Sequence, residues 1–353
     1  MPLLFAIATI LPLVPMALGY ATGGLWVLAA VLSMTVLVAG LDGLVRVVTP
    51  ALPEEVEFPA GPLLSVVLGL AQIALLIVAV ARLGGGTLSW TESVGLAYAT
   101  ALWLGQVGNS NAHELIHRGR ASLRRLGTAL FVSVLYGHHA SAHPKVHHTY
   151  VATPNDPATA RLGQSAYAYF GQAWWGGFRA GRAAEHRLLE KRYGAAWRRH
   201  DPYIAYVWGM LACLAIAVVA GGVAGLLWYL ALAGMATLQI MLSDYVQHYG
   251  LLRAEVAPGR YEPVGPAHSW NAPHWYSGAM MLHAPRHSDH HAHPSRPFHH
   301  LSMPQASEAP RLPRSLPTMC AIALVPSLWR RMMDHRARRW SEAAGVQAGA
   351  VAG

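Results

Sequence analysis

Residues 126–137, LGTALFVSVLYG, are an apolar run between two histidine groups. Before it stands His113-Glu114-Leu115-Ile116-His117; after it stands His143-Pro144-Lys145-Val146-His147-His148. A helix needs about 20 apolar residues to cross a bilayer core, so this run is too short. If it did cross, the two groups would face opposite sides of a membrane and could not share a metal. If it dips in or lies on the surface, every histidine group falls on one face.

Working outward, six other runs are of membrane length: approximately 2–20, 25–45, 63–80, 94–109, 203–220 and 225–246. The first has no basic stretch before it and reads as a membrane helix rather than a cleaved leader. The fourth is short before its first polar residues, and its amphiphilic tail, 109–117, continues the helix out of the hydrocarbon. The arginine-rich stretches 118–125, 161–199 and 330–339 belong on the cytoplasmic side by the positive-inside rule. The loop 43–61, with Arg46 and the acidic Glu54, Glu55 and Glu57, votes weakly; Gly84-Gly85-Gly86 reads as an outside turn. The expectation is an all-α polytopic membrane protein with six crossings, one domain over 1–353 in a bacterial inner membrane. Residues of about 110–200 and 247–353 form a histidine-rich cytoplasmic cap, with both termini on that side. Residues 343–353 read as a frayed tail.

Composition agrees. Hydrophobic residues make up 54% and charged residues 12%, against about 25% charged in an average globular chain. That is too little polar surface for a soluble fold of 353 residues. The net charge of +9 lacks the basic stripe with interleaved aromatics that nucleic acid requires, so no nucleic-acid partner is expected. The two cysteines, Cys213 and Cys320, have no CxxC partner and imply neither a disulfide framework nor a thiolate metal site. A rubredoxin-type centre takes four thiolates and cannot be built from two.

The chain has 20 histidines, and they cluster. His113 and His117 are four residues apart and share one helix face. His143, His147 and His148 form the second group, and His287, His290 and His291 the third. His248 stands alone at the end of the last crossing. Nine imidazoles are too many for one ion, since a catalytic zinc takes three protein ligands; they suit two. Imidazole accepts zinc, copper, iron or nickel, and redox chemistry on an apolar substrate favours iron. The HExxH pattern alone also fits an intramembrane zinc protease, which leaves the other groups unexplained. A histidine-rich transporter would place polar residues mid-membrane on broken helices. Partners for the ligands' other ring nitrogens are expected; the candidates are Glu114, Asp156, Asp244, Asp289 and Asn271. His138, His139, His293, His299 and His300 read as neighbours of the site or as solvated residues. His186, His200 and His335 read as ordinary loop residues, and His268, His274 and His283 mostly so.

These groups resemble the three histidine boxes of the membrane fatty-acid desaturase and hydroxylase superfamily. More narrowly, the chain is similar to the alkane 1-monooxygenases and to the xylene monooxygenase hydroxylase component. The phrases that carry this are HHTYVATPNDPATAR (147–161), QHYGLLR (247–253), SWN (269–271) and RHSDHHAHPSRP (286–297). Val146 stands where alkane hydroxylases often have glycine, and His268 where asparagine often precedes Ser-Trp. The resemblance implies a non-haem pair of irons held by the nine histidines. It also implies terminal hydroxylation of an n-alkane with O2, and two electrons from a separate rubredoxin or ferredoxin with its reductase. Alternatives within the family are hydroxylation of alkylbenzene methyl groups, or desaturation or hydroxylation of acyl chains. Trp26 and Trp103 are candidates to limit the depth of a substrate tunnel.

Overall fold

The computed structural model describes residues 2–45, 47–53 and 60–343. Arg46, the acidic group Glu54, Glu55 and Glu57, and residues 344–353 lie outside them. The described residues are mostly helical. The expected first crossing is α1 (Pro2–Ile10) followed by α2 (Leu13–Thr22), parted at Pro12, which has no N–H to continue a helix. The second is α3 (Leu25–Met34) and α4 (Val36–Leu44), bent by 41° around Thr35. The third is α5 (Ala60–Gly84). The fourth begins at α6 (Trp90–Trp103), passes through a π-helical turn, Leu104–Gly108, and ends as α7 (Asn109–Ile116). Ser89 and Glu92 close the start of α6 with a capping box, and the Glu92 carboxylate also accepts the Gly24 amide at 2.7 Å.

The decisive run is helical and turns back. α8 (Ala121–Ser133) packs so tightly on α7 that a Cβ on Gly127 would stand 2.8 Å from the Ala112 carbonyl. Its far end is pinned on two sides. The Gln72 amide donates to the Leu130 carbonyl at 3.1 Å, and Tyr229 donates to the Ser133 carbonyl at 2.9 Å. Leu135 then takes a left-handed conformation, φ 59°. The chain returns through α9 (His139–Ala142), a second π turn (His143–His147) and α10 (His148–Tyr150). Residues 113 and 143 thereby meet.

After α11 (Ala166–Tyr193) comes α12 (Pro202–His248), a nominal 47 residues with a break at Gly222 (φ 62°, ψ −157°). The break makes it two arms that double back. Tyr206 meets Ser141 at 2.8 Å near the start of the first arm; Thr237, far along the second, donates to the Val134 carbonyl at 2.9 Å. The turn sits against the end of α5, where a Cβ on Gly221 would lie 2.5 Å from the Val80 carbonyl. Here only the absence of a side chain lets the backbones meet.

By length and composition, Leu3–Thr22, Gly61–Gly84 and Ala166–His248 can cross a membrane, with the bent pair α3–α4 a fourth; the last stretch includes both arms of α12. Leu25, Leu63, Leu70, Trp208, Val219 and Val223 are largely exposed along these helices. Such a belt has no place in water and marks an integral membrane protein.

The remaining chain lies around the histidines. It includes α13 (Trp275–Met280), α14 (His287–Ala292), α15 (Leu316–Ala323) and α16 (Pro326–Ala343). It also holds a hairpin, β1 (Glu255–Ala257) and β2 (Arg260–Tyr261), turned at Gly259 with φ 70°. That hairpin amends the all-helical expectation. Asp42, buried at the end of α4, ties this region to the arms by accepting the Tyr276 and Ser277 amides at 3.1 and 3.2 Å.

Replacing Gly221 with leucine forces the α5 and α12 backbones apart and costs about 1–3 kcal/mol. Differential scanning fluorimetry of the solubilised protein should record a lower unfolding temperature. Gly171→Ala, at a helical position with nothing within 4 Å of the added Cβ, should hold or raise it.

Candidate metal centre

The nine histidines of the boxes and of α12 converge from four directions. His113 lies on α7 and His117 caps its end. His143 and His147 bound the second π turn, and His148 follows. His248 is the last residue of α12, while His287, His290 and His291 project from α14. They form two groups. His113, His117, His143, His148 and His290 bring five nitrogens within 4.8 Å of one another; His147, His248, His287 and His291 bring four.

The neighbours in sequence divide between the groups. His148 and His290 belong to the first, His147 and His291 to the second. In a π turn the hydrogen bond runs from i to i+5, so residues four and five on fall either side of residue i. That leaves His148 beside His143 and sends His147 to the other group. On α14, adjacent positions diverge by the ordinary helical angle of about 100°.

The nitrogens are spaced as ligands are spaced. His113 and His143 present Nε2 atoms 2.7 Å apart, and His148 stands 3.0 Å from His143 and 3.1 Å from His290. In the second group, His287 lies 2.9 Å from His248 and 3.2 Å from His291. Bonds of about 2.0–2.1 Å to one ion place two imidazoles at right angles ~3 Å apart. The Nε2 atoms of His117 and His147 are buried with no hydrogen-bond partner. Burial, and after it neighbouring imidazoles, holds His290 and His291 well below the usual imidazole range, and burial with His147 takes His287 down to about 3. Two tight groups of imidazoles, eight of the nine rings lowered by burial toward the neutral form, are a donor set that fits two soft-to-borderline cations.

The expected supporting residues separate by role. Asp156 Oδ2 lies 2.8 Å from His147 Nδ1 and also accepts the Thr159 hydroxyl at 2.7 Å. Burial pushes His147 down, but the Asp156 charge and hydrogen bond outweigh it and the ring is held above its ordinary value. Asn271 works on the backbone. Its Oδ1 accepts the Ser288 amide at 3.0 Å and its Nδ2 donates to Ser288 Oγ at 2.7 Å, fixing the start of α14. Asp244 is buried and lines a small cavity with His143, His147 and Asp156. Glu114 belongs to neither group; it lies 3.4 Å from the Arg118 guanidinium and accepts the Phe298 amide. Asp289 instead binds Arg296 at 2.7 and 2.9 Å, His293 at 2.9 Å and the Ser302 amide at 2.8 Å, closing the loop after α14.

Of the other histidines, His138 packs edge-on to Trp174 and Phe178, and His268 contacts Glu262 at 3.2 Å. His283 Nδ1 lies 3.1 Å from the Phe298 carbonyl, and His300 Nδ1 3.0 Å from the Leu52 carbonyl. His139 is buried beside His143. Trp103 is fully buried and donates to the Thr9 carbonyl at 2.9 Å. Sequence reasoning missed Asp42 and Thr159, because neither type nor spacing distinguishes a buried hydrogen-bond partner from a turn residue. It also missed Arg286, buried beside His287 and bound to the Leu301 carbonyl at 2.6 Å and to Thr49 Oγ1 at 2.9 Å.

Comparison with known proteins places the chain in a family. A sequence model of the fatty acid desaturase family matches residues 88–323. The alkane 1-monooxygenase of Pseudomonas putida is 33% identical over 268 residues, 76% of this chain and 66% of that protein's length. Alkane 1-monooxygenase 1 of Pseudomonas aeruginosa is 33% identical over 310 residues, 82% of this chain and 78% of its own. More distant is the xylene/toluene monooxygenase hydroxylase component of Pseudomonas putida, 27% identical over 65% of this chain and 61% of its own length. The match thus spans a little under two thirds of some of these relatives and more of others. All four histidine-bearing elements lie inside the matched region, and the chain belongs to the fatty acid desaturase family, alongside its alkane 1-monooxygenase members.

Proposed function

We propose that this chain hydroxylates the terminal carbon of n-alkanes to primary alcohols, using O2 and two electrons from a separate rubredoxin or ferredoxin. The observation that carries the reading is the division of nine buried or half-buried histidines into a group of five and a group of four. Each group would hold one iron: His113, His117, His143, His148 and His290 the first; His147, His248, His287 and His291 the second. When bound, the two irons supply the redox chemistry that O2 and an unactivated C–H bond require. The similarity to alkane 1-monooxygenases favours an alkane over other apolar substrates.

The protein's own part is orientation and exclusion. Asp156 holds His147 in one tautomer and one ring plane, as a carboxylate does behind many metal-bound imidazoles. Asn271 and Ser288 set the start of α14, from which three of the nine rings project. The histidines sit at the inner ends of the membrane arms, so an alkyl chain dissolved in the bilayer can approach between helices without crossing water.

Six crossings of one membrane domain fit the alternating direction of the arms. Residues near 5, 42, 65, 113 and 248 lie at the histidine end. Residues near 20–24, 80–92 and 221 lie at the other. With Arg120, Arg124 and Arg125 exposed beside the first box, the histidine end faces the cytoplasm of a bacterial inner membrane, where an acidic electron carrier can dock.

Metal analysis of the purified protein should find about two irons per chain. One zinc and no iron overturns the reading in favour of hydrolytic chemistry. His287→Ala leaves three ligands in the group of four and should lower iron toward one per chain. His290→Ala leaves four in the other group and should lower it less.

Asp156→Ala should weaken iron retention against a chelator by about 10–100-fold while the helical signal stays. Unchanged retention would mean that Asp156 only braces its loop.

Reduction by an acidic rubredoxin should slow steeply between low and high salt as charges are screened within about 10 Å at 0.1 M. A rate indifferent to ionic strength argues against a basic docking face.

A further inference from the structure

Glu185 is a buried carboxylate that the metal reading does not use. It lies on α11 and is only 6% exposed. A carboxylate in such a place is costly unless it is paired and hydrogen-bonded. Ser141 donates its hydroxyl to Oε1 at 2.6 Å, and the Lys145 ammonium meets the same oxygen. The single Ser141 proton is thereby committed, so Tyr206, from the first arm of α12, donates to Ser141 Oγ at 2.8 Å.

The two partners stand on either side of His143. Ser141 lies in α9 just before the second π turn, and Lys145 lies inside it. That turn needs support from outside. A π turn is a rare conformation, and Pro144 has no N–H to give the helical ladder at that point. Two residues along a helix rotate by about 200°. Fastening 141 and 145 to α11 therefore turns 143 and 147 to the opposite side. The short Ser141 side chain reaches Glu185 because Gly181, one turn earlier on α11, has none. A Cβ there would lie 3.0 Å from the Ala142 Cα and 2.6 Å from the Tyr203 hydroxyl.

We infer that Glu185 is a positioning residue for both metal sites. It fastens the π turn from behind, through Ser141 and Lys145, and so aims His143 into one group and His147 into the other. The inference rests on the two-iron reading above. It differs from the role of Asp156, which bonds the His147 ring directly and so serves one group.

The test is Mössbauer spectroscopy of the reduced protein loaded with isotopically enriched iron. A site with five nitrogens and a site with four should give two doublets. Glu185→Ala should change the splitting of both and speed iron loss to a chelator about tenfold, whereas Asp156→Ala should change one doublet. Glu185→Gln keeps an oxygen that accepts from Ser141 and Lys145, and should restore both. Ser141→Ala, which leaves the ion pair, should move both doublets by less, and adding it to Glu185→Ala should move them no further. Unchanged doublets in Glu185→Ala overturn the inference. So does a change at one site alone, or a lower unfolding temperature with both doublets intact. If Glu185→Ala does not fold, Ser141→Ala decides on the same criterion. If the unsubstituted protein holds no iron pair, the two-iron reading fails and this inference with it.

Discussion

Lone pairs that point at a common centre repel one another unless a cation shares them, and nine of them point at two centres here. Five nitrogens within 4.8 Å in one place and four in another are held there by covalent backbone, and the rest of the structure supports that convergence. The arms of α12 bring His248 in from below. The π turn before α7 and the returning α8 bring the first two boxes to the same side. Asn109 and Asn111 lock α7 to its neighbours by donating to the Ala236 and Ser65 carbonyls at 2.8 and 2.9 Å. Each of those amides is buried, so each bond both satisfies a polar group and fixes a ring.

The groups are also unusual in charge. Among the described residues, neither contains a carboxylate. Neutral imidazoles bring nothing to offset two cations, and the field they feel is set from behind the rings. Asp156 stands behind His147, with Asp244 buried close by. The apolar arms keep water from screening those charges, so they act at short range and at low dielectric.

Much of this was legible in sequence because two periodicities carry it. Apolar length marked the arms, and the i, i+4 spacing of His113 and His117 with the HxxxHH and HxxHH patterns marked the histidines that converge. The short run 126–137 was also legible, since 12 residues cannot cross a membrane. What escaped was what depends on long-range approach. The bend at Thr35 leaves no compositional trace, whereas the break at Gly222 falls between the runs 203–220 and 225–246, where the sequence placed it. Glu114 and Asp289 sit inside histidine boxes but bind an arginine each, whereas Asn271, far away in sequence, fixes the start of α14. Proximity along the chain told little about which oxygen stands behind which ring. The hairpin at 255–261 escaped because its strands are two and three residues long.

The division of adjacent histidines has one more consequence. His147 and His148, and again His290 and His291, each enter different groups from neighbouring α-carbons, which trans peptide bonds hold 3.8 Å apart. Two such yokes, one from the π turn and one from α14, tie the two centres together. The interval between the centres is therefore a bonded dimension, as fixed as a rung on a ladder. The arms can loosen, tilt or admit a guest in the bilayer without altering the covalent links that join the two centres.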